Sequence, residues 1–379
     1  MKNGWRTRPL ADFVKSKSGD SKVIKGKQSD QAREGLVQGY SASGPDVWVE
    51  RADYSQSGVV ISAIGARCGK TFLANGKWTA IANTHVLIPS ESIDTRWLWY
   101  RTNDESFWMR GGTAQPFVKV KDTLQRPCSI PPLPEQKRIV AILDEAFEGI
   151  ATARANAEKN LGSARAIFES HSDSVFTQRG EGWNERVLGD VCERVTVGHV
   201  GITSPYYRDQ GVLFLRTQNV GTAGLVLDDV KHVTDEFHES LRNSQVRPND
   251  VLMSRVITNV VRCALVPSDF GRANCANVVL VRAGDLLAPE YLVHYIRSRQ
   301  AQRHLLSRKV GSAQLVVNTT VVKEWPIPLP SLSQQHQVVD ALDTLAEETQ
   351  HLEAIYQRKL VALDALKQSL LNRAFSGQL

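Results

Sequence analysis

Two things are scarce in this chain: uninterrupted apolar runs and cysteines. No apolar stretch approaches the ~20 residues that a membrane-spanning helix needs. The opening MKNGWRTRPLADF has no apolar core of the kind a secretory signal carries. Neither membrane embedding nor export is expected. The five cysteines (Cys68, Cys128, Cys192, Cys263 and Cys275) are widely spaced, odd in number and free of any C-x-x-C pair. That usage predicts reduced structural thiols in a cytoplasmic protein rather than disulfides or a zinc site. The nine histidines form no H-x-x-x-H or H-E-x-x-H pair, so no metal is expected either.

Catalytic signatures are equally thin. GARCGKT (Gly65–Thr71) looks like a phosphate loop, but it has three residues between its glycines where the loop needs four. Asp122 followed by Glu135-x-Lys137 loosely copies a nuclease pattern. A metal site would need those carboxylates on adjacent strands, and Glu135 instead opens a predicted helix. There is no Asn/Asp-Pro-Pro-aromatic loop for amino-group methylation, and no Gly-rich cofactor turn.

What is present is a repeat, which governs the architecture wherever it occurs. IPPLPEQKRIVAILD begins a stretch running from Ile130 to Phe176, and LPSLSQQHQVVDALD begins another from Leu329 to Phe375. Pro131, Leu133, Gln136, Val140, Leu143 and Asp144 match Pro330, Leu332, Gln335, Val339, Leu342 and Asp343, each 199 positions on. Glu148, Leu161, Ala166, Ser170 and Phe176 match Glu347, Leu360, Ala365, Ser369 and Phe375. The preceding segments repeat more loosely. Gly4-Trp5 with Leu10 and Asp12 recurs as Gly182-Trp183 with Leu188 and Asp190, and Gly112-x-Ala114-Gln115 recurs as Gly311-x-Ala313-Gln314. The second copy has gained residues between these anchors.

A chain of 379 residues with 42% apolar and 23% charged residues accommodates two ordinary globular domains plus connecting elements. The expected division is a domain over 1–130, a helix over 131–180, a second domain over 181–326 and a second helix over 327–379. Within the domains, Gly58–Gly65, Thr84–Pro89, Val251–Val256 and Asn277–Ala283 read as strands. Arg96–Thr102 and Pro289–Leu306 read as helices. Strand order is not readable. In the long helices a heptad seam is expected. It holds Ile139, Leu143, Ala146, Ile150, Ala153, Ala157, Asn160, Ala164, Ile167 and His171 in the first, and Val338, Leu342, Leu345, Thr349, Leu352, Tyr356, Lys359, Leu363, Leu366 and Leu370 in the second. Asn160 and Lys359 are polar at one repeat position, where they would fix register. Ser333, standing where the first copy has Pro134, is a candidate helix cap.

The formal net charge is +6. The helical stretches are slightly acidic, so the positive excess lies in the two domains, and the second is rich in Arg and poor in Lys. Arg's planar fork suits phosphate and guanine edges.

In the order of its parts the chain resembles the specificity subunit of type I restriction–modification systems. The resemblance rests on the P-L-P-E-Q-K-R-I-V opening of the first helix (Pro132–Val140) and its degenerate copy. It rests also on the G-W…L-x-D starts, the G-x-A-Q elements and VVISAIGARCGKTFLANGKWTAIANTHVLIP (Val59–Pro89). The fold it implies is α+β: two mixed α/β target-recognition domains separated by two long helices in an antiparallel coiled coil, with a pseudo-twofold internal repeat. The function it implies is non-catalytic. Each domain would read one half of a bipartite site in double-stranded DNA, and the helices would set the gap and dock two methyltransferase subunits. S-adenosylmethionine, and the ATP and Mg of a restriction–translocase subunit, would belong to those partners, with no cofactor on this chain. The alternatives are an enzyme, for which the motifs are missing, and a coiled-coil scaffold whose domains bind protein or RNA.

Base reading needs Arg, Lys, Asn, Gln, Ser and Thr on loops and helix starts, with further basic groups on phosphates. In the first domain the candidates are Lys15, Lys17, Lys22, Lys25 and Lys27, the Gly39–Gly44 loop with Ser41 and Ser43, Arg67 and Lys70 at the glycine turn, and Lys119 and Lys121. In the second they are Tyr206, Tyr207, Arg216, Gln218, Asn219, Arg255, Asn259 and Arg262, with Arg308 and Lys309 on phosphates.

Overall fold

The computed structural model describes residues 4–178, 180–257, 259–306 and 315–379. The chain divides into two compact units, one of residues 1–157 with 358–379 and the other of residues 158–357. Each long helix is therefore shared, one half to each unit. Among the described residues no helix is long and apolar enough to cross a membrane.

The first unit opens with strand Arg6–Pro9, which pairs antiparallel with Pro127–Ile130, the strand that leads into the first long helix. Between these ends lie two sheets. One is antiparallel in the order Val14–Ser18, Thr84–Pro89, Gly58–Ser62, Thr71–Ala74. The other sets Val37–Ser41 between Gly44–Val49 and a parallel partner, Trp78–Ala80. Helix Thr95–Thr102, capped by the Asp94 carboxylate, packs on the first sheet.

The second unit repeats the plan. Asn184–Val187 pairs with Pro326–Leu329 ahead of the second long helix. The antiparallel sheet runs Cys192–Val197, Val278–Ala283, Val251–Ser254, Cys263–Leu265. The second sheet has grown to five strands, keeping one parallel pair, Val212–Leu215 with Ala273–Cys275. The flanking helix expected over Pro289–Leu306 is two, Pro289–Arg297 and Arg299–Leu306. Ser298 makes the break: its extended backbone ends the first helix, and its hydroxyl accepts from the Ala301 N–H in the turn that begins the second.

The long helices span Leu133–Gln178 and Leu332–Ser376. Ser331, not Ser333, caps the second. Its hydroxyl accepts from the Gln334 N–H, and the Gln334 carboxamide accepts from the Ser331 N–H, a reciprocal capping box. In the first unit Arg154 reaches Asp364 at 2.6 Å, and in the second Arg165 reaches Glu353 at 2.9 Å. Eleven residues forward on one helix correspond to eleven back on the other, so the pair is antiparallel. Exposed ion pairs of this kind mark register more than they stabilise.

The inward stripe keeps part of the expected heptad seam. Gln136, Val140, Leu143, Ala157, Ala164 and Ser172 are buried on the first helix, and Gln335, Val339, Leu342, Thr349 and Leu360 on the second. Ile139 is also buried, while Ile150 and Val338 are half-buried. Asn160, Ile167, Leu352, Lys359 and Leu366 are exposed. Leu143, Ala157 and Ala164 lie whole heptads apart, as do Leu342 and Thr349, so one line of the expected seam stays inward while Asn160, Ile167, Leu352, Lys359 and Leu366 lie off it.

Each helix is bound to its domain by one repeated glutamine. Gln136 is fully buried; its carboxamide oxygen accepts from the Asp94 N–H (2.7 Å), and its amide donates to the carbonyls of Ser92 (3.0 Å) and Pro131 (2.8 Å). Gln335 repeats the set with the Ala288 N–H (2.8 Å) and the carbonyls of Leu286 and Pro330 (2.9 Å each). The far end of each helix is used too. Phe176 enters the second unit's core against Tyr291 and Tyr295, and its copy Phe375 meets Trp97 in the first.

The five thiols are free, and burial pushes Cys192 and Cys275 up to about 12 and Cys263 up to about 11. Those three thiols are protonated at neutral pH.

Replacing Gln136 or Gln335 by Leu strands one buried N–H and two carbonyls. Each change is expected to lower unfolding stability by about 2–4 kcal/mol, read as a lower midpoint in urea. A loss under about 0.5 kcal/mol would show that water or local relaxation replaces these bonds.

Candidate nucleic-acid interface

In the first unit strand Val14–Ser18 leads to Gly19, whose N–H donates to the Thr84 carbonyl at 3.0 Å. A Cβ there would lie 2.2 Å from the Thr84 hydroxyl and 2.3 Å from the Ile81 carbonyl, so only glycine passes. Asp20 then bridges to Ile81, and Asn83, at φ +65°, turns the chain into strand Thr84–Pro89. The Gly58–Ser62 strand ends beside this turn, where Val118 donates to Ala63 and Gly65 donates to Pro116. These approaches frame a cleft of about 660 Å³. Ser18, Ser21, Asn83, His85, Lys119, Lys121 and Asp122 line it with polar groups, and Ile64 and Phe117 with apolar ones.

Lys119 and Lys121 are therefore brought together, with Lys15 and Lys17 exposed on the strand that leads in. His85 faces Ser16 at 3.2 Å, and its imidazole is held below the usual range, first by burial and then by the Lys121 charge. The other candidates lie elsewhere in the unit. Lys25 (2.5 Å) and the buried Ser41 hydroxyl (2.6 Å) are both spent on Asp46, closing the 37–49 hairpin, while Ser43 is exposed at its turn. Lys22 is exposed, and Lys27 lines a separate cleft of mixed charge with Arg33, Glu34 and Arg51. Arg67 is exposed at the tip of the glycine turn, and Lys70 lies over the Phe72 ring at 5.8 Å.

The second unit has the same frame. Gly198 presses on Cys275, whose carbonyl lies 2.6 Å from where a Cβ would be. His199 bridges to Ala276, and Asn277 has φ +53°. Around it the side chains differ. Arg216 donates to the Asp229 carbonyl (2.7 Å) and carboxylate (3.1 Å), and the Gln218 carboxamide oxygen accepts from the same guanidinium. Lys231 and Arg216 hold the Asp229 carboxyl below its usual range. Asn219 is buried; it accepts from the Arg216 N–H and donates to the Val226 carbonyl, so it shapes the loop rather than facing outward. Tyr206 stacks on Phe237 at 3.9 Å and remains partly exposed, and the Tyr207 hydroxyl bonds Thr203 at 2.7 Å. Arg255 lies at the bend just past strand Val251–Ser254, where its carbonyl accepts from Val317; Arg262 pairs with Ser254, and Asn259 is exposed. Arg308, Lys309, Gly311, Ala313 and Gln314 lie outside the described residues.

Reading by residue type missed Asn83, His85 and Phe117 in the first unit and His199, Asp229, Lys231 and Asn277 in the second. One signal was available. I-A-N at 81–83 and C-A-N at 275–277 each precede a β-rich run, a repeat that marks the turn in both units.

A family model described as the type I restriction modification DNA specificity domain matches residues 2–159 and 180–359. The EcoBI specificity subunit of Escherichia coli is 24% identical over 291 residues, 69% of this chain and 59% of that one. The MjaVIII specificity subunit of Methanocaldococcus jannaschii is 19% identical, with 99% of this chain and 93% of that one covered. Among solved structures, a chain from the type I R-M system studied for its complex assembly and conformational transition matches with TM-score 0.77 and 18% identity, over 100% and 99% of the two chains. The HsdS subunit from Thermoanaerobacter tengcongensis matches with TM-score 0.65 and 20% identity, over 100% and 98%. Both share the fold.

Lys121→Gln is expected to raise the His85 pKa, read by NMR titration, while burial keeps it below an ordinary imidazole. Because the folded pKa is depressed, the neutral ring contributes stability above the unfolded value of about 6.5. That contribution is lost as pH falls through the folded pKa, by a smaller amount in the variant. An unmoved His85 would place Lys121 outside its field.

Proposed function

The chain belongs to the family of type I restriction modification DNA specificity domains, and from that premise we propose how it divides the work. Residues 1–130 and 181–326 each read one half of a bipartite site in double-stranded DNA. The helices over 131–180 and 327–379 set the gap between the halves and dock two methyltransferase subunits, with restriction–translocase subunits joining that complex. Methyl transfer and DNA cleavage reside in those partners, which carry S-adenosylmethionine, ATP and Mg, and the assembly works in the cytoplasm.

The observation that carries this reading is one frame lined by two different sets of side chains. In both turns the glycine N–H donates to the carbonyl of the residue after the left-handed asparagine, Gly19 to Thr84 and Gly198 to Val278, whereas lysines and a histidine surround the first and an Arg216–Gln218–Asp229–Lys231 cluster lies in the second unit. A shared scaffold with unlike linings suits two half-sites of unlike sequence. Apolar side chains exposed on the helices, Ile167, Leu352 and Ile355 in the second unit and Val361 and Leu366 in the first, support protein docking there.

A matched deletion of eleven residues from both helices removes about three turns and keeps the inward faces in phase. With residues 181–326 and 1–130 intact, the half-sites found by mapping methylated adenines are expected to stay the same and move closer together. An unchanged gap in a folded, DNA-binding variant would refute the spacer role. Exchanging residues 181–326 for the corresponding segment of another family member is expected to change one half-site only; a change in both would refute modular reading.

A further inference from the structure

Each unit exposes one apolar pair at the same place in its frame. In the first, Ile64 bridges to Phe117 just beyond strand Gly58–Ser62. In the second, Val256 pairs with Val316, and the next residue, Val317, donates to the Arg255 carbonyl as Val118 donates to Ala63. The four side chains are between 37 and 50% exposed. Cross-strand apolar pairs are ordinarily turned to a core, yet these two face solvent at matched sites in units that otherwise differ. Phe117 is held there by design of the backbone: a Cβ at Gly111 would lie 2.7 Å from its ring and one at Gly112 3.2 Å from it.

The surroundings indicate what covers the pair. Lys119 and Lys121 stand at alternate positions after Phe117, and Ser18, Asn83, His85 and Asp122 line the same cleft. Cations for phosphates and amide and hydroxyl groups for base edges, set round an apolar contact, match one face of a base pair in the major groove. The only apolar group displayed there is the C5-methyl of thymine. We propose that Ile64 with Phe117, and Val256 with Val316, are specificity-determining contacts to thymine methyl groups, one in each half-site. The proposal rests on the reading of the chain as a binder of duplex DNA.

The test uses the full chain in complex with its modification subunits. Selection from a duplex pool of random sequence first recovers the site, and each thymine is then replaced in turn by deoxyuridine, which removes only the methyl. At one thymine in each half-site affinity is expected to fall about fourfold, the worth of one buried methyl group. Phe117→Ala loses a similar factor on the thymine duplex, ceases to respond to deoxyuridine in its own half-site and keeps its response in the other. Phe117→Leu, which retains an apolar contact, keeps both responses and serves if the alanine variant is unstable. A half-site without thymine, a wild type indifferent to deoxyuridine, or a Phe117→Ala complex with its full response overturns the proposal and leaves DNA reading intact. Lost subunit assembly with an unchanged DNA response assigns the pair to a protein partner and also overturns it. Recovery of no site at all overturns the DNA reading itself, and the proposal with it.

Discussion

The buried carboxamide at the start of each long helix is the constraint on which the arrangement of each unit depends. Gln136 and Gln335 each satisfy one backbone N–H and two carbonyls that would otherwise be buried without partners. Their bonds join the proline turn before the helix to the loop before the flanking helix of the domain. A side chain with both a donor and an acceptor is required, in one orientation and at one depth. The helix cannot rotate or slide without breaking all three bonds. Nearby contacts repeat in kind, not in identity: Asp144 receives the Tyr100 hydroxyl, while Asp343 meets the His294 imidazole at the matching position.

With the helix start held in this way, the rest of each domain is free to vary. The two antiparallel sheets keep the same strand order, and the strand that opens each domain pairs with the strand that closes it. The second sheet grows from three strands to five without disturbing that order. The Gly19 and Gly198 turns are each held by a backbone bond from the glycine N–H, while the side chains near them differ between the units. A protein that must keep its assembly geometry while changing what it reads has a physical reason for this division.

The helices keep only part of the heptad seam. Leu143, Ala157, Ala164, Leu342 and Thr349 hold the buried line, while Ile167, Leu352 and Leu366 fit the same heptad and are exposed in the structure.

The sequence by itself determined the duplication, the extent of the helices to within a few residues and the location of positive charge. These follow from local periodicity, composition and spacing, which are properties of the chain as written. It also singled out Lys119 and Lys121. Tertiary structure alone decided strand order, which seam positions are buried and which candidates meet. Lys25 and Ser41 were chosen for their chemistry, but a shared Asp46 takes them up; Asn219 is buried by its own loop. Whether a polar side chain is free to reach a partner depends on neighbours brought from far along the chain. Residue type and spacing carry no record of those neighbours.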